Sequence, residues 1–146
     1  MNRRDSTSKE LEFVNDGHEW ADASFHQTEE FTYIHAMRHP GQSVGDARNA
    51  SNEFVHTMAS MALDAKANGD RMAYFWFGVA LHTMQDSTSP SHQGYQLWTN
   101  HPSEMEVINH VRQEMIKPSD NSELYQVTRQ AWRSFQNNDL SGFRVK

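Results

Sequence analysis

The run Met72–Leu81 constrains the fold of this chain more than any other segment, because a helix with this sequence is apolar around its whole circumference. Such a helix is expected to lie at the centre of its domain. The run leads into His82 and Asp86, whose four-residue spacing places both side chains on one helical face. A buried carboxylate and imidazole need a partner. A divalent cation suits both, and a hydrogen-bonded pair without metal is the alternative.

The residues after Asp86 predict that the chain turns back towards the end of this helix. Pro90 stops the helix within a Ser- and Thr-rich turn, and the turn would return His92 to the neighbourhood of Asp86. Gly78 lies one turn before His82, so we expect its missing side chain to leave room beside that imidazole. This room favours a bound metal over the plain hydrogen-bonded pair.

Apolar residues recur at helical spacing along the rest of the chain, and no segment alternates convincingly as a strand does. Capping boxes at Ser24 and Ser103 predict two helix starts. Further helices are expected at 25–37, at 44–68, from Ser103 to before Pro118, and at 122–137. The buried stripe of the second of these should contain Ala47, Ala50, Phe54, Met58, Met61 and Ala65.

A single domain follows from this pattern and from the chain length of 146 residues. We expect an all-α fold, a compact bundle of about five helices around a buried, metal-bearing central helix. The polar residues 1–17 are expected to be flexible or peripheral to it.

Net charge and cysteine content limit the partners of this chain. A net charge of −6 gives no general attraction to phosphate backbones or anionic membranes. The absence of cysteine removes disulfides and thiolate ligands, so a transition metal must be held by carboxylates and histidines. No apolar run is long enough to span a membrane, and the polar start lacks the apolar stretch of a signal peptide. Export would therefore depend on an attached segment.

The pattern His82-x3-Asp86-x5-His92, with Pro90 two residues before the last histidine, resembles the central motif of the zinc-dependent phospholipase C and S1/P1 nuclease superfamily. Members of that superfamily are all-helical enzymes that hydrolyse phosphodiesters at a cluster of zinc ions. Their next ligand pair, His-x3-Glu on a following helix, reads His110-x3-Glu114 here. The resemblance covers roughly residues 18 to 114 in short, gapped motifs.

The resemblance implies at least two zinc ions and assigns their ligands. One ion would be held by His35, His82 and Asp86, and the other by Asp86, His92, His110 and Glu114. For His35 the alternative is a core histidine, and for His110 with Glu114 it is an exposed pair on a solvated helix face. Manganese or iron would also suit these ligand types.

Asp22 and His18 are the candidates from the N-terminal part of the chain. The family has an aspartate at a spacing close to that between Asp22 and His35. On one unbroken helix these two residues would lie about 140° apart, so Asp22 reaches the site only if it precedes the helix. We expect it to be a base or an additional ligand. His18-x3-Asp22 would contribute to a third zinc site, and the alternative is that both are surface residues. In the family, the N-terminal amino group of a Trp binds the third zinc ion, whereas this chain begins with Met1.

The implied activity is phospholipase C-like hydrolysis of a phospholipid, with Asp22 and Asp86 in catalytic roles. The alternatives are a P1-like nuclease and, in another class, a non-catalytic metal-stabilised interaction module. A set of apolar residues is expected either to line an approach for the lipid or to be plain core: Phe25, Phe31, Tyr95, Leu97 and Trp98. The remaining histidines are expected at the surface: His26, His39, His56 and His101.

The segment from Asp86 to Tyr95, together with Trp98, also resembles toxin domains at the C-termini of bacterial rearrangement-hotspot (Rhs) repeat proteins. This local likeness implies the payload of a secreted effector, which a larger protein delivers into a target cell. It also implies a dedicated immunity protein as a partner.

Overall fold

The computed structural model describes residues 3–114 and 122–146 and, within them, all side chains except those of residues 3–7, 109–111, 113 and 114. The described chain is helical and contains no strand, which confirms the expected all-α class. Two short 3-10 helices, Ser24–His26 and Glu29–His35, separate the first two of the five α-helices. The α-helices are α1 (Arg3–Ala21), α2 (Val44–Ala67), α3 (Met72–Asp86), α4 (Glu104–Glu114) and α5 (Glu123–Gln136).

Helix α3 lies at the centre of the bundle, as its apolar circumference predicts. It packs against α1, α2, α5 and the second 3-10 helix. Phe77, Val79 and Met84 on its different faces are all buried. Burial of each such side chain contributes roughly 1.5–3 kcal/mol, so the position of α3 is fixed from several sides at once.

Two glycines allow α1 and α3 to touch through their backbones. A Cβ on Gly17 would collide with the carbonyl oxygen of Phe75, and a Cβ on Gly78 would collide with that of Val14. The prediction that Gly78 leaves room beside the His82 imidazole is therefore wrong, because the backbone of α1 fills that space. The close approach instead brings α1 alongside the histidine-bearing end of α3.

Residues 1–17, which were expected to be flexible or peripheral, belong to helix α1 from Arg3 onwards. The last turns of this helix pack on α3. The segment looked peripheral because α1 is mostly polar and makes its contact through Val14, Gly17 and Ala21. Small residues carry little hydrophobic signal in a sequence, although they permit the closest packing.

Helix α2 begins at the predicted residue, but a different stripe of it is buried. The buried residues are small or β-branched: Ala47, Ser51, Val55, Ala59 and Ala62. Of the predicted stripe only Ala47 is fully buried, whereas Phe54 and Met58 are half-buried and Met61 is exposed. The face of α2 that lies closest to the neighbouring elements has room only for small side chains. The larger side chains pack on either side of that face.

One continuous helix over 25–37 and a capping box at Ser24 were both wrong predictions. The chain forms two 3-10 helices there, because Thr28 is extended and Phe31 leaves helical geometry with φ −113°. The second 3-10 helix ends where Ala36 enters the left-handed region at φ 49°. Aromatic and β-branched residues dominate the segment, and their low helix propensity favours a broken path that follows the core.

The C-terminal part of the fold agrees with the sequence pattern. The second capping box is formed, since the Glu106 amide donates to Ser103 Oγ at 3.3 Å and the Ser103 amide donates to Glu106 Oε2 at 2.6 Å. Helix α5 forms where a helix over 122–137 was expected, and it buries Val127, Ala131 and Phe135. No helix in the described part of the chain has the length and apolarity that crossing a bilayer requires.

Candidate metal centre

Three side chains converge at the C-terminal end of α3. His35 Nδ1 and His82 Nε2 each lie 3.1 Å from Asp86 Oδ2, and the two nitrogens lie 3.3 Å apart. In a tetrahedral zinc site with metal–ligand distances near 2 Å, ligand atoms are about 3.3 Å apart. The triangle therefore has the dimensions of one face of such a site.

The fold holds these three side chains from two directions. His82 and Asp86 lie one turn apart on α3, and the rigid, central position of that helix fixes both. His35 is the last residue of the second 3-10 helix, which is tied to α3 where Thr83 Oγ1 donates to the Ile34 carbonyl at 2.6 Å. Both imidazoles are buried, whereas the Asp86 side chain keeps 15% of its surface exposed.

His92 joins the cluster through the predicted turn. After Ser87 the chain reverses, and His92 Nδ1 comes within 4.0 Å of Asp86 Oδ2. The same nitrogen lies 2.5 Å from the His35 carbonyl oxygen. Because a carbonyl oxygen only accepts, Nδ1 carries the proton, and in the neutral ring Nε2 holds the lone pair. Metal-ligating histidines characteristically donate their other N–H to such an acceptor.

A short backbone pairing keeps the two histidine-bearing segments together. The Arg38 amide donates to the Gln96 carbonyl at 3.1 Å, and the Trp98 amide donates to the Arg38 carbonyl at 3.0 Å. These bonds form an isolated parallel bridge between Arg38 and Leu97. The segments that follow His35 and His92 are thereby held in a fixed register.

Helix α1 supplies two more of the predicted residues. Asp22 directly follows α1, and it offers a carboxylate oxygen within 4.8 Å of ring nitrogens of His35 and His82, which together form a group able to hold a metal ion. The His18 ring lies edge-on to that of His82, with 5.6 Å between the ring centroids. Asp22 reaches the site because no single helix joins it to His35. Its carboxylate is exposed, unlike the two imidazoles.

Interactions between the Asp86 carboxylate and the neighbouring imidazoles determine the pKa values of these groups. Burial alone would raise the pKa of the Asp86 carboxyl, but the charges of His82 and His92 and hydrogen bonds from His35 and His82 outweigh it and hold this pKa well below its usual range. Burial likewise opposes charge on His82, yet the Asp86 carboxylate raises the pKa of that imidazole above its ordinary value. The site therefore retains an ionised carboxylate despite its burial.

His18 behaves in the opposite way. Burial, followed by the positive charge of His82, lowers the pKa of the His18 imidazole to about 4, and the nearby Asp86 and Asp22 carboxylates offset only part of this. The ring is therefore neutral at physiological pH, which is the state that a metal ligand requires.

Gln27 also belongs to this site, although no sequence pattern singled it out. Its Nε2 donates to Asp22 Oδ1 at 3.0 Å and lies 3.4 Å from His35 Nε2. Its backbone carbonyl oxygen accepts from Trp98 Nε1 at 3.0 Å. Gln27 thus links Asp22 to His35, a role that depends on the turn between the two 3-10 helices and leaves no periodic signal in the sequence.

Six of the eight predicted ligands come together in the structure: His18, Asp22, His35, His82, Asp86 and His92. His110 and Glu114 belong to α4, but their side chains lie outside the described residues.

The predicted exposure of the remaining histidines and of the apolar approach residues is only partly confirmed. His39, His56 and His101 are exposed as expected, whereas His26 is buried against Trp20 and Phe25, so the surface prediction for it was wrong. Of the apolar approach residues, Tyr95 is only 1% exposed and belongs to the core.

The donor set fits a metal of borderline hardness. It consists of imidazole nitrogens and carboxylate oxygens, the ligands that zinc accepts in hydrolytic sites. Two ring nitrogens and one oxygen meet within 3.3 Å, and two N–H groups aimed at a single oxygen would crowd each other. A cation relieves this crowding, because all three atoms can then present lone pairs. A hydrogen-bonded triad without an ion is the competing arrangement, since 3.1 Å is also a hydrogen-bond distance.

Comparison with known proteins adds no relative. The chain matches no family model, no curated protein and no solved structure.

Proposed function

We propose that this chain is a zinc-dependent phosphodiester hydrolase of the phospholipase C-like kind. The proposal is supported chiefly by the convergence of His35, His82 and His92 on Asp86 from separate stretches of the chain. The resemblance of the His82–His92 segment to the zinc-dependent phospholipase C and nuclease motif supports the choice of reaction.

The proposed ligands form two groups that share Asp86 and a third group at the end of α1. His35, His82 and Asp86 would hold one ion. Asp86 and His92, with His110 and Glu114 of α4, would hold a second. His18 and Asp22 would contribute to a third. Bound zinc supplies Lewis acidity and lowers the pKa of coordinated water to about 7.

The protein's own side chains have distinct proposed roles. His92 holds its lone pair on Nε2 because its Nδ1–H donates to the His35 carbonyl. Asp22, as an exposed carboxylate at the edge of the cluster, accepts the proton of the attacking water. A new bond forms between phosphorus and the water oxygen as the bond to the leaving oxygen breaks, and Asp22 would return the proton to that leaving oxygen.

A phospholipid is the proposed substrate. Phe25 and Leu97 are 59% and 45% exposed. Phe25 is two residues before Gln27, and Leu97 precedes the Trp98 whose Nε1 donates to the Gln27 backbone carbonyl. Apolar side chains beside the site would contact acyl chains, and a chain of net charge −6 disfavours nucleic acid.

Zinc-dependent hydrolysis tests this proposal directly. The chain is treated with a chelator and then assayed with and without added zinc on phosphatidylcholine vesicles and on single-stranded DNA. We expect zinc-restored release of the phosphorylated headgroup, lost in His82→Ala and kept in His56→Ala, whose histidine is exposed on α2. DNA cleavage would instead favour the nuclease. Zinc-dependent stability without either activity would favour a non-catalytic module.

We also propose that the domain acts as the payload of a secreted effector, neutralised by an immunity protein. This rests on the local resemblance to the toxin domains of rearrangement-hotspot repeat proteins. Expression of the chain in a susceptible bacterium should arrest growth, whereas His82→Ala at equal protein levels should not. Equal growth of the two strains would count against a toxin.

A further inference from the structure

A groove of about 830 Å³ runs along the outer face of α5 and the C-terminal segment, and none of its lining residues belongs to the histidine cluster. Its charged lining residues are Arg129, Arg133 and Arg144, against a single aspartate, Asp139. The groove is therefore basic, although the chain as a whole carries a net charge of −6.

The walls of the groove are fixed before any ligand arrives. Gln130 Nε2 donates to the Gly142 carbonyl at 2.9 Å, which fastens the C-terminal segment to α5. A Cβ on Gly142 would collide with Ser134 Oγ, so the segment lies directly against the helix. Phe143 is fully buried and anchors the segment in the core.

Asp139 does not neutralise the arginines. Its carboxylate accepts hydrogen bonds from the Ser141 amide at 3.0 Å and from Ser141 Oγ, which lower the pKa of Asp139 and hold it within its own turn. Within the described residues no ion pair involves Arg129, Arg133 or Arg144, and all three are exposed. Three guanidinium groups thus remain available on one surface.

The lining chemistry selects among anionic ligands. Guanidinium groups bind carboxylates and phosphates through paired N–H donors. None of the described residues that line the groove has an apolar or aromatic side chain, so neither an acyl chain nor a stacked base finds a partner among them. The other lining side chains include amides and hydroxyls, which donate and accept as a peptide backbone requires, whereas a phosphate backbone only accepts.

We propose that this groove binds an acidic segment of a partner protein, with aspartate or glutamate side chains paired to Arg129, Arg133 and Arg144. The site is independent of the metal centre, so it stands whether or not the chain hydrolyses phosphodiesters.

Binding of a labelled hexaglutamate peptide to the full chain, followed by fluorescence anisotropy, tests the proposal. The double variant Arg129→Gln/Arg133→Gln should weaken binding about tenfold or more, because two charge-assisted contacts are lost. The control Lys9→Gln/Arg71→Gln removes the same charge from exposed positions elsewhere and should change affinity about twofold or less.

Three results would overturn the assignment. One is equal weakening in both double variants, which indicates attraction to overall charge. Another is no measurable peptide binding by the unaltered chain at low salt. The third is stronger competition by single-stranded DNA or by inorganic phosphate than by the peptide, which would make the groove a phosphate site.

Discussion

At the scale of single residues, the convergence on Asp86 is most sensitive to the groups that orient its partners. Gln27 is such a group, since its amide contacts both Asp22 and His35. Side chains that support ligands without being ligands typically change metal affinity about 10- to 100-fold. This makes Gln27 a test of the site that does not remove any proposed ligand.

Gln27→Ala should therefore weaken zinc binding by about 10-fold or more while the fold is retained. The measurement is a competition titration against a chromophoric chelator. Gln136→Ala, at the exposed end of α5, is the matched control and should bind zinc as the unaltered chain does. Equal affinities in the two variants would remove Gln27 from the site.

His18 gives a pH prediction for the metal-free protein. Its folded pKa of about 4 lies below the ordinary value of 6.5, so between these pH values the unfolded chain binds more protons than the folded one. Stability contributed by His18 is thus lost as pH falls from about 6.5 towards 4. In His18→Gln, urea unfolding of chelator-treated protein should show a smaller loss of stability between pH 7 and pH 5. If the loss of stability in His18→Gln is as large as in the unaltered chain, or larger, the lowered pKa of His18 is contradicted.

At the scale of helices, the histidine cluster depends on the contact between α1 and α3. Gly17 and Gly78 let these backbones touch, and the contact places His18 beside His82. A side chain at Gly78 would have to displace the α1 backbone rather than a flexible neighbour. Loss of the contact between α1 and α3 should therefore also disrupt the histidine cluster.

Gly78→Ala should destabilise the chain by about 2 kcal/mol or more, since overpacking against backbone typically costs 1–3 kcal/mol and exceeds the gain in helix propensity. Gly45→Ala, at the start of α2, should be neutral or stabilise by up to about 1 kcal/mol, because a Cβ there would meet only Ser43 Oγ at an ordinary contact distance of 3.9 Å. Urea unfolding of both variants gives the comparison. Similar stabilities would show that the α1–α3 contact is not tight.

The same elements show which parts could be predicted from sequence. The apolar circumference of α3 and the spacing of His82, Asp86 and His92 are local signals, and they correctly placed a central helix and a returning turn. The path of residues 24–36 and the packing of α1 depend on distant partners and small residues, which have no periodic signal. Gln27 was missed for the same reason.

At the scale of the whole molecule, the metal centre would link segments that are far apart in the sequence. Residues 18–35 and 82–92 meet only in the folded state, so an ion bound between them stabilises folding by mass action. Binding also requires neutral imidazoles, and protons therefore compete with the metal.

Zinc added to the chelator-treated chain at pH 7.5 should raise its melting temperature, and the rise should shrink at pH 5.5 because the histidine ligands take up protons. Thermal unfolding by circular dichroism measures both values. Magnesium, which prefers oxygen ligands, is the control and should have little effect. A larger zinc effect at pH 5.5 would contradict histidine ligation.

The most direct test of the central claim is the metal content of the purified chain, determined by inductively coupled plasma mass spectrometry for the unaltered protein, Asp86→Asn and His56→Ala. We predict about two zinc atoms per chain in the unaltered protein and in His56→Ala, and a clear fall in Asp86→Asn, since Asp86 would contribute to both ions. Absence of stoichiometric metal after supplementation with zinc, or equal metal in all three proteins, would contradict a metal centre at this site.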